Sequence, residues 1–76
     1  SMIWLLKLKA MFTRKCVVAL RDIDGEVTYR VASKNPFGYL MCNRYFQCMA
    51  VLEEDGTVSS PRYVKNWKLI SDYRKG

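Results

Sequence analysis

Two Asp-Gly dipeptides, Asp24-Gly25 and Asp55-Gly56, each stand between runs of alternating apolar and polar residues. Glycine takes a positive φ without a Cβ clash, so Asp-Gly between such runs marks a tight reversal joining antiparallel strands. Before the first reversal, Cys16, Val18 and Leu20 alternate with Lys15, Val17, Ala19 and Arg21; after it, Val27, Tyr29 and Val31 alternate with Thr28, Arg30 and Ala32. The pattern predicts a hairpin whose outward side carries Lys15, Arg21 and Arg30.

The segment SKNPFG, residues 33–38, breaks the pattern, because proline fixes φ and lacks a donor. Residues 39–52 fit several structures. A helix would line up Met41, Tyr45, Cys48, Met49 and Leu52; a strand would put Leu40, Cys42, Phe46, Cys48, Ala50 and Leu52 on one face; two short strands could turn near Asn43-Arg44. The second Asp-Gly favours strand for the later half, with a helical turn still open for 39–46. Residues 62–70 again alternate and read as a further strand.

The expected architecture is therefore mainly β: a small five-stranded antiparallel barrel or bent sheet, with room for one short helix. Closure removes the unpaired edges of an open sheet. The alternative is an α+β arrangement with one helix on an antiparallel sheet. With 76 residues the chain makes one domain, read as an apolar segment over 1–12, a β domain over 13–70 and a basic tail over 71–76. Ser1 before Met2 reads as a tag remnant.

Two strings carry a resemblance. VVALRDIDG, residues 17–25, is similar to the opening segment of Src-homology-3 domains, and SSPRYV, residues 59–64, resembles their closing Pro-Ser-Asn-Tyr-Val segment. The resemblance implies a small barrel of that type. It does not extend to proline-rich peptide recognition: Arg21 stands where the first ligand-contacting Tyr would be, and no tandem Trp pair lies mid-chain.

The opening run IWLLKLKAMF is too short to span a bilayer, and Lys7 and Lys9 interrupt it. As a strand it puts Trp4, Leu6, Leu8, Ala10 and Phe12 on one face. As a helix it puts Trp4, Leu8 and Met11 on a stripe with Leu5 and Phe12 beside it. In either form its large apolar side chains, Ile3, Trp4, Leu6 and Leu8, are candidates for an interface with a protein partner or a second copy.

The chemistry of catalysis is thinly represented. The chain has no histidine, so the commonest general base and metal ligand is missing. Cys16, Cys42 and Cys48 lack zinc-site spacing, and an odd count with no secretion signal reads as reduced, buried thiols in a cytoplasmic protein. The carboxylates Asp22, Asp24 and Glu53-Glu54-Asp55 fall at expected turns, where they bond local backbone. No enzyme, cofactor or metal is expected.

Binding is better represented. Thirteen Lys and Arg against seven Asp and Glu give a net charge of +6. The leading expectation is a protein–protein binding domain of the adaptor or inhibitor type, with the size and plainness of regulators that phages and mobile elements encode. The alternative is nucleic-acid binding. Its candidate residues are Arg30, Arg44, Tyr45, Arg62, Tyr63, Lys65, Trp67 and Lys68, with Tyr63, Lys65 and Trp67 forming a stacking platform if that strand face points outward. The competing reading puts Tyr63 and Trp67 in the core.

Overall fold

The computed structural model describes residues 2–35, 40–44 and 48–75, with the side chains of 42–44 and 48–49 outside that description. One helix precedes six antiparallel strands: α1 Met2–Thr13, β1 Cys16–Asp22, β2 Val27–Lys34, β3 Leu40–Arg44, β4 Cys48–Leu52, β5 Val58–Ser60 and β6 Val64–Asp72. The strand order is β5-β4-β3-β2-β1-β6. The sheet curls into a half-barrel until its edges approach. A bridge between Thr57 and Asn66 links them, and the Trp67 amide donates to the Gly56 carbonyl at 3.0 Å. The fold is thus mainly β, with six strands where five are expected, because residues 40–44 and 48–52 form two separate strands. The backbone of 40–44 is strand, not helix. Segments 17–25 and 59–64, which carry the family resemblance, lie side by side: Asp22 registers with Val64, and the Ile23 amide donates to the Tyr63 carbonyl at 3.0 Å.

Both Asp-Gly reversals are built alike. In the first, the Asp22 amide donates to the Glu26 carbonyl at 2.8 Å and Gly25 sits at φ 91°. In the second, the Glu53 amide donates to the Thr57 carbonyl at 2.9 Å and Gly56 sits at φ 93°. Each loop therefore has three residues ending on a left-handed glycine. Asp24 and Asp55 accept from the amides of Glu26 and Thr57, two residues on, as Asx turns do.

The loop length corrects the faces of the first hairpin. Arg21 pairs with Val27, Ala19 with Tyr29 and Val17 with Val31, while Val18 pairs with Arg30. Directly paired residues share a face, so Arg30 lies on the inner side with Val18, and Val27 and Tyr29 lie outside with Arg21. A one-residue slip of register inverts every side chain. A three-residue loop shifts the register by one residue from a two-residue Asp-Gly turn.

The concave side of the sheet holds the core: Cys16, Val18, Leu20, Ala32, Leu40, Ala50, Leu52 and Val64, with Val58 and Trp67 packed against it. Cys16 is fully buried, and its thiol donates to the Ala32 carbonyl at 3.3 Å. Cys42 and Cys48 have side chains outside the described set. Ala10 and Val17 are also fully buried but stand apart from that cluster. Helix α1 packs on β1 and β2 and covers the convex side there.

Helix wins over strand in the first segment because Leu5 to Met11 are all strong helix formers with no β-branched residue among them. The helix ends in a Schellman arrangement. The Lys15 amide reaches back to the Ala10 carbonyl at 2.8 Å, and Arg14 occupies the left-handed region at φ 54°. An arginine there carries a steric cost that glycine avoids. Arg14→Gly is expected to stabilise the fold by about 1 kcal/mol, read as a higher urea midpoint with unchanged slope. A lower midpoint would contradict this account of the cap.

Among the described residues, no helix is long and apolar enough to cross a membrane.

Candidate functional site: an apolar helix face and a cationic groove

Helix α1 is apolar on two sides. Toward the sheet it presents Ile3 and Leu6, both half-buried, and the buried Ala10. Toward solvent it presents Trp4 at 64% exposure, Leu5 at 65%, Met11 at 49% and Phe12 at 82%, with Leu8 half-buried at the centre of the stripe. The four expected interface residues therefore divide. Ile3 and Leu6 belong to the folded unit, whereas Trp4 and Leu8 lie on the outer stripe. At 100° per residue, Lys7 and Lys9 fall on opposite flanks of that stripe.

The expected nucleic-acid residues do not form one face. Trp67 lies opposite Leu20 on the inner side, packs against the core, and donates its indole N–H to the Glu53 carbonyl at 2.5 Å. It fastens the β4–β5 turn to β6, which corrects the expectation of an exposed stacking platform. Lys65 sits at a register irregularity between the pairs Arg21–Asn66 and Asp22–Val64, so the simple alternation of Tyr63, Lys65 and Trp67 breaks there. Lys68 is exposed opposite Ala19 on the outer side. Arg62 and Tyr63 are exposed in the turn before β6. Arg30 is half-buried and bonds the Tyr29 carbonyl at 2.9 Å. The Arg44 side chain and Tyr45 lie outside the described residues.

The structure gathers a different set of cations. A cavity of about 600 Å³ is lined by Thr13, Arg14, Lys15, Ser33, Lys34, Asp72, Arg74 and Lys75. Three separated segments meet there. The start of β1 registers with both the end of β2 and the end of β6: Cys16 pairs with Ala32 and with Asp72. The Tyr73 amide also donates to the Lys15 carbonyl at 3.0 Å, so ordered pairing runs past residue 70 into the tail. Asp72 receives a two-pronged contact from Arg74, at 2.9 Å from Nε and 2.7 Å from Nη2. That contact holds the Asp72 carboxyl down at about 2 and raises the Arg74 guanidinium. Among the described residues it is the only ion pair. Arg14, Lys15, Lys34 and Lys75 form no ion pair among those residues, although the Lys75 charge also helps lower the Asp72 carboxyl.

The acids sit elsewhere. Six of the seven lie in or beside the two reversals: Asp22, Asp24 and Glu26, and Glu53, Glu54 and Asp55. The carboxylates of Asp22, Asp24 and Glu26 lie within 4.8 Å of one another, a spacing that could hold a cation. Asp24 is occupied in bonding the Glu26 amide. Asp55 is held below the usual carboxylate range by the Thr57 hydroxyl and amide. These carboxylates shape turns.

The signal for the groove was present in the chain. Arg14-Lys15, Lys34 and Arg74-Lys75 all stand where an element ends, and antiparallel pairing brings those ends together.

Comparison with protein-family models, curated proteins and solved structures finds no match.

Proposed function

We propose that this chain is a small non-catalytic binding domain of the adaptor or regulator type that acts through protein–protein contact. The outer stripe of α1 is its contact surface and a second copy of the chain its occupant. The observation that supports this is the exposure of Trp4, Leu5, Met11 and Phe12 on one side of a helix whose other side already packs on the sheet. Single exposed apolar residues are ordinary, but a contiguous set of this size marks a contact surface.

The occupant follows from symmetry. A two-fold contact must be self-complementary. Positions 4, 5, 8, 11 and 12 are symmetric about Leu8. Two antiparallel copies of α1 crossing at Leu8 would place Trp4 against the partner's Phe12 and Leu5 against the partner's Met11. Lys7 and Lys9 would then line the two rims, each near its own copy, where like charges repel weakly. One helix stripe on each copy makes a contact near the lower bound for specific interfaces, and the test below is set for a weak dimer in the micromolar range.

Sedimentation velocity from 5 to 500 µM tests this. A monomer–dimer equilibrium is expected that tightens from 50 to 500 mM NaCl as the rim lysines are screened. Trp4→Ser with Phe12→Ser should weaken it at least about tenfold, since buried aromatic anchors dominate such contacts. A monomer at every concentration, or a dimer indifferent to the double substitution, would refute the reading.

A further inference from the structure

We propose that the cationic groove at the end of α1 binds the phosphate backbone of a nucleic-acid strand. Five positive side chains, Arg14, Lys15, Lys34, Arg74 and Lys75, line it with one carboxylate, Asp72, already engaged by Arg74. Gathering like charges destabilises a fold, so such a set is informative when local structure does not account for it. The negative end of the α1 dipole accounts for a cation at Arg14 or Lys15. It does not account for Lys34, Arg74 and Lys75, which arrive from β2 and from beyond β6. Arg14 moreover holds a left-handed backbone conformation that glycine would fill at lower cost.

The form of the groove favours a polymer over a small anion. Arg14, Lys34 and Lys75 are exposed, and Lys15 and Arg74 are only half-buried. A pocket for one phosphate would fix buried donors around a point. Exposed and half-buried cations on several walls instead match a chain of phosphates, each neutralised with release of counterions. The hydroxyl residues Thr13 and Ser33 add neutral donors to the lining. Six of the seven carboxylates lie in or beside the two reversals and not in the groove lining, so the lining carries a net positive charge that attracts a polyanion.

The test is fluorescence anisotropy of a labelled 12-nucleotide oligothymidylate across 25–300 mM KCl, with two double variants of equal charge change. Lys34→Glu with Lys75→Glu alters the groove, and Lys65→Glu with Lys68→Glu alters β6. All four side chains are exposed, and circular dichroism checks the fold of each variant. The groove variant should lose at least about 30-fold in affinity at 50 mM KCl, and its salt slope should fall by about 1.4, the share of two phosphate contacts on a single strand. The β6 variant should stay within about threefold of the parent. Equal weakening by both variants would reduce the effect to diffuse net charge and overturn the proposal. So would absence of binding by the parent at 25 mM KCl, or complete displacement by 1 mM pyrophosphate with a flat salt slope.

Discussion

Trp67→Ala is expected to destabilise the domain by about 2–4 kcal/mol, somewhat less than for a fully buried Trp because the side chain is half-buried. A domain of this size has a total stability of only about 4–11 kcal/mol. Two losses combine in this variant. The ring stands opposite Leu20 and packs on the concave core, so truncation leaves a void beside Leu20. Its N–H also holds the Glu53 carbonyl, which fixes the second reversal against β6. Without that tie, only backbone contacts such as the Thr57–Asn66 bridge and the Trp67 amide bond to the Gly56 carbonyl hold the reversal to β6 among the described residues. Trp67→Phe keeps most of the apolar area and loses the hydrogen bond, so about 1 kcal/mol is expected. Urea unfolding of both variants reads these values directly. If Trp67→Ala left the midpoint in place while reducing oligonucleotide affinity, the ring would be a stacking surface after all, and its assignment to the core would fail.

Much of the fold was legible because the two Asp-Gly reversals act locally. A left-handed glycine and an Asx bond need only the few residues around them, and both reversals form where the sequence puts them. What a dipeptide does not disclose is loop length. Three residues or two decide whether Val27 and Tyr29 face in or out, and the structure has them out. The helical reading of the first segment named the stripe of Trp4, Leu5, Leu8, Met11 and Phe12 that α1 turns to solvent. Periodicity could not choose it over a strand, because the apolar residues fit one face of a strand as well as the sides of a helix. Propensity makes the choice, and packing on β1 and β2 determines which side is buried.

The candidate surfaces were less legible for a physical reason. Lys65, Trp67 and Lys68 are close in sequence and read as one group, yet Trp67 turns inward and a register irregularity at Lys65 breaks the strand's alternation. The groove cations are distant in sequence and meet only through the register of β1 with β2 and β6. Long-range pairing, which no local window contains, assembles that site.

The central claim is that α1 has an inner side that belongs to the fold and an outer side that does not. Equilibrium urea unfolding of two matched double variants at low micromolar concentration tests it most directly. Trp4→Ser with Phe12→Ser strips the outer side, where the side chains are 64% and 82% exposed. Ile3→Ser with Leu6→Ser strips the half-buried inner side. The outer variant should unfold within about 0.5 kcal/mol of the parent, as exposed substitutions do. The inner variant should lose about 2–4 kcal/mol through apolar contacts removed from the helix–sheet boundary. Equal losses in the two variants, or a larger loss from the outer one, would mean that the exposed stripe stabilises the monomer, and the contact-surface reading would fall with it.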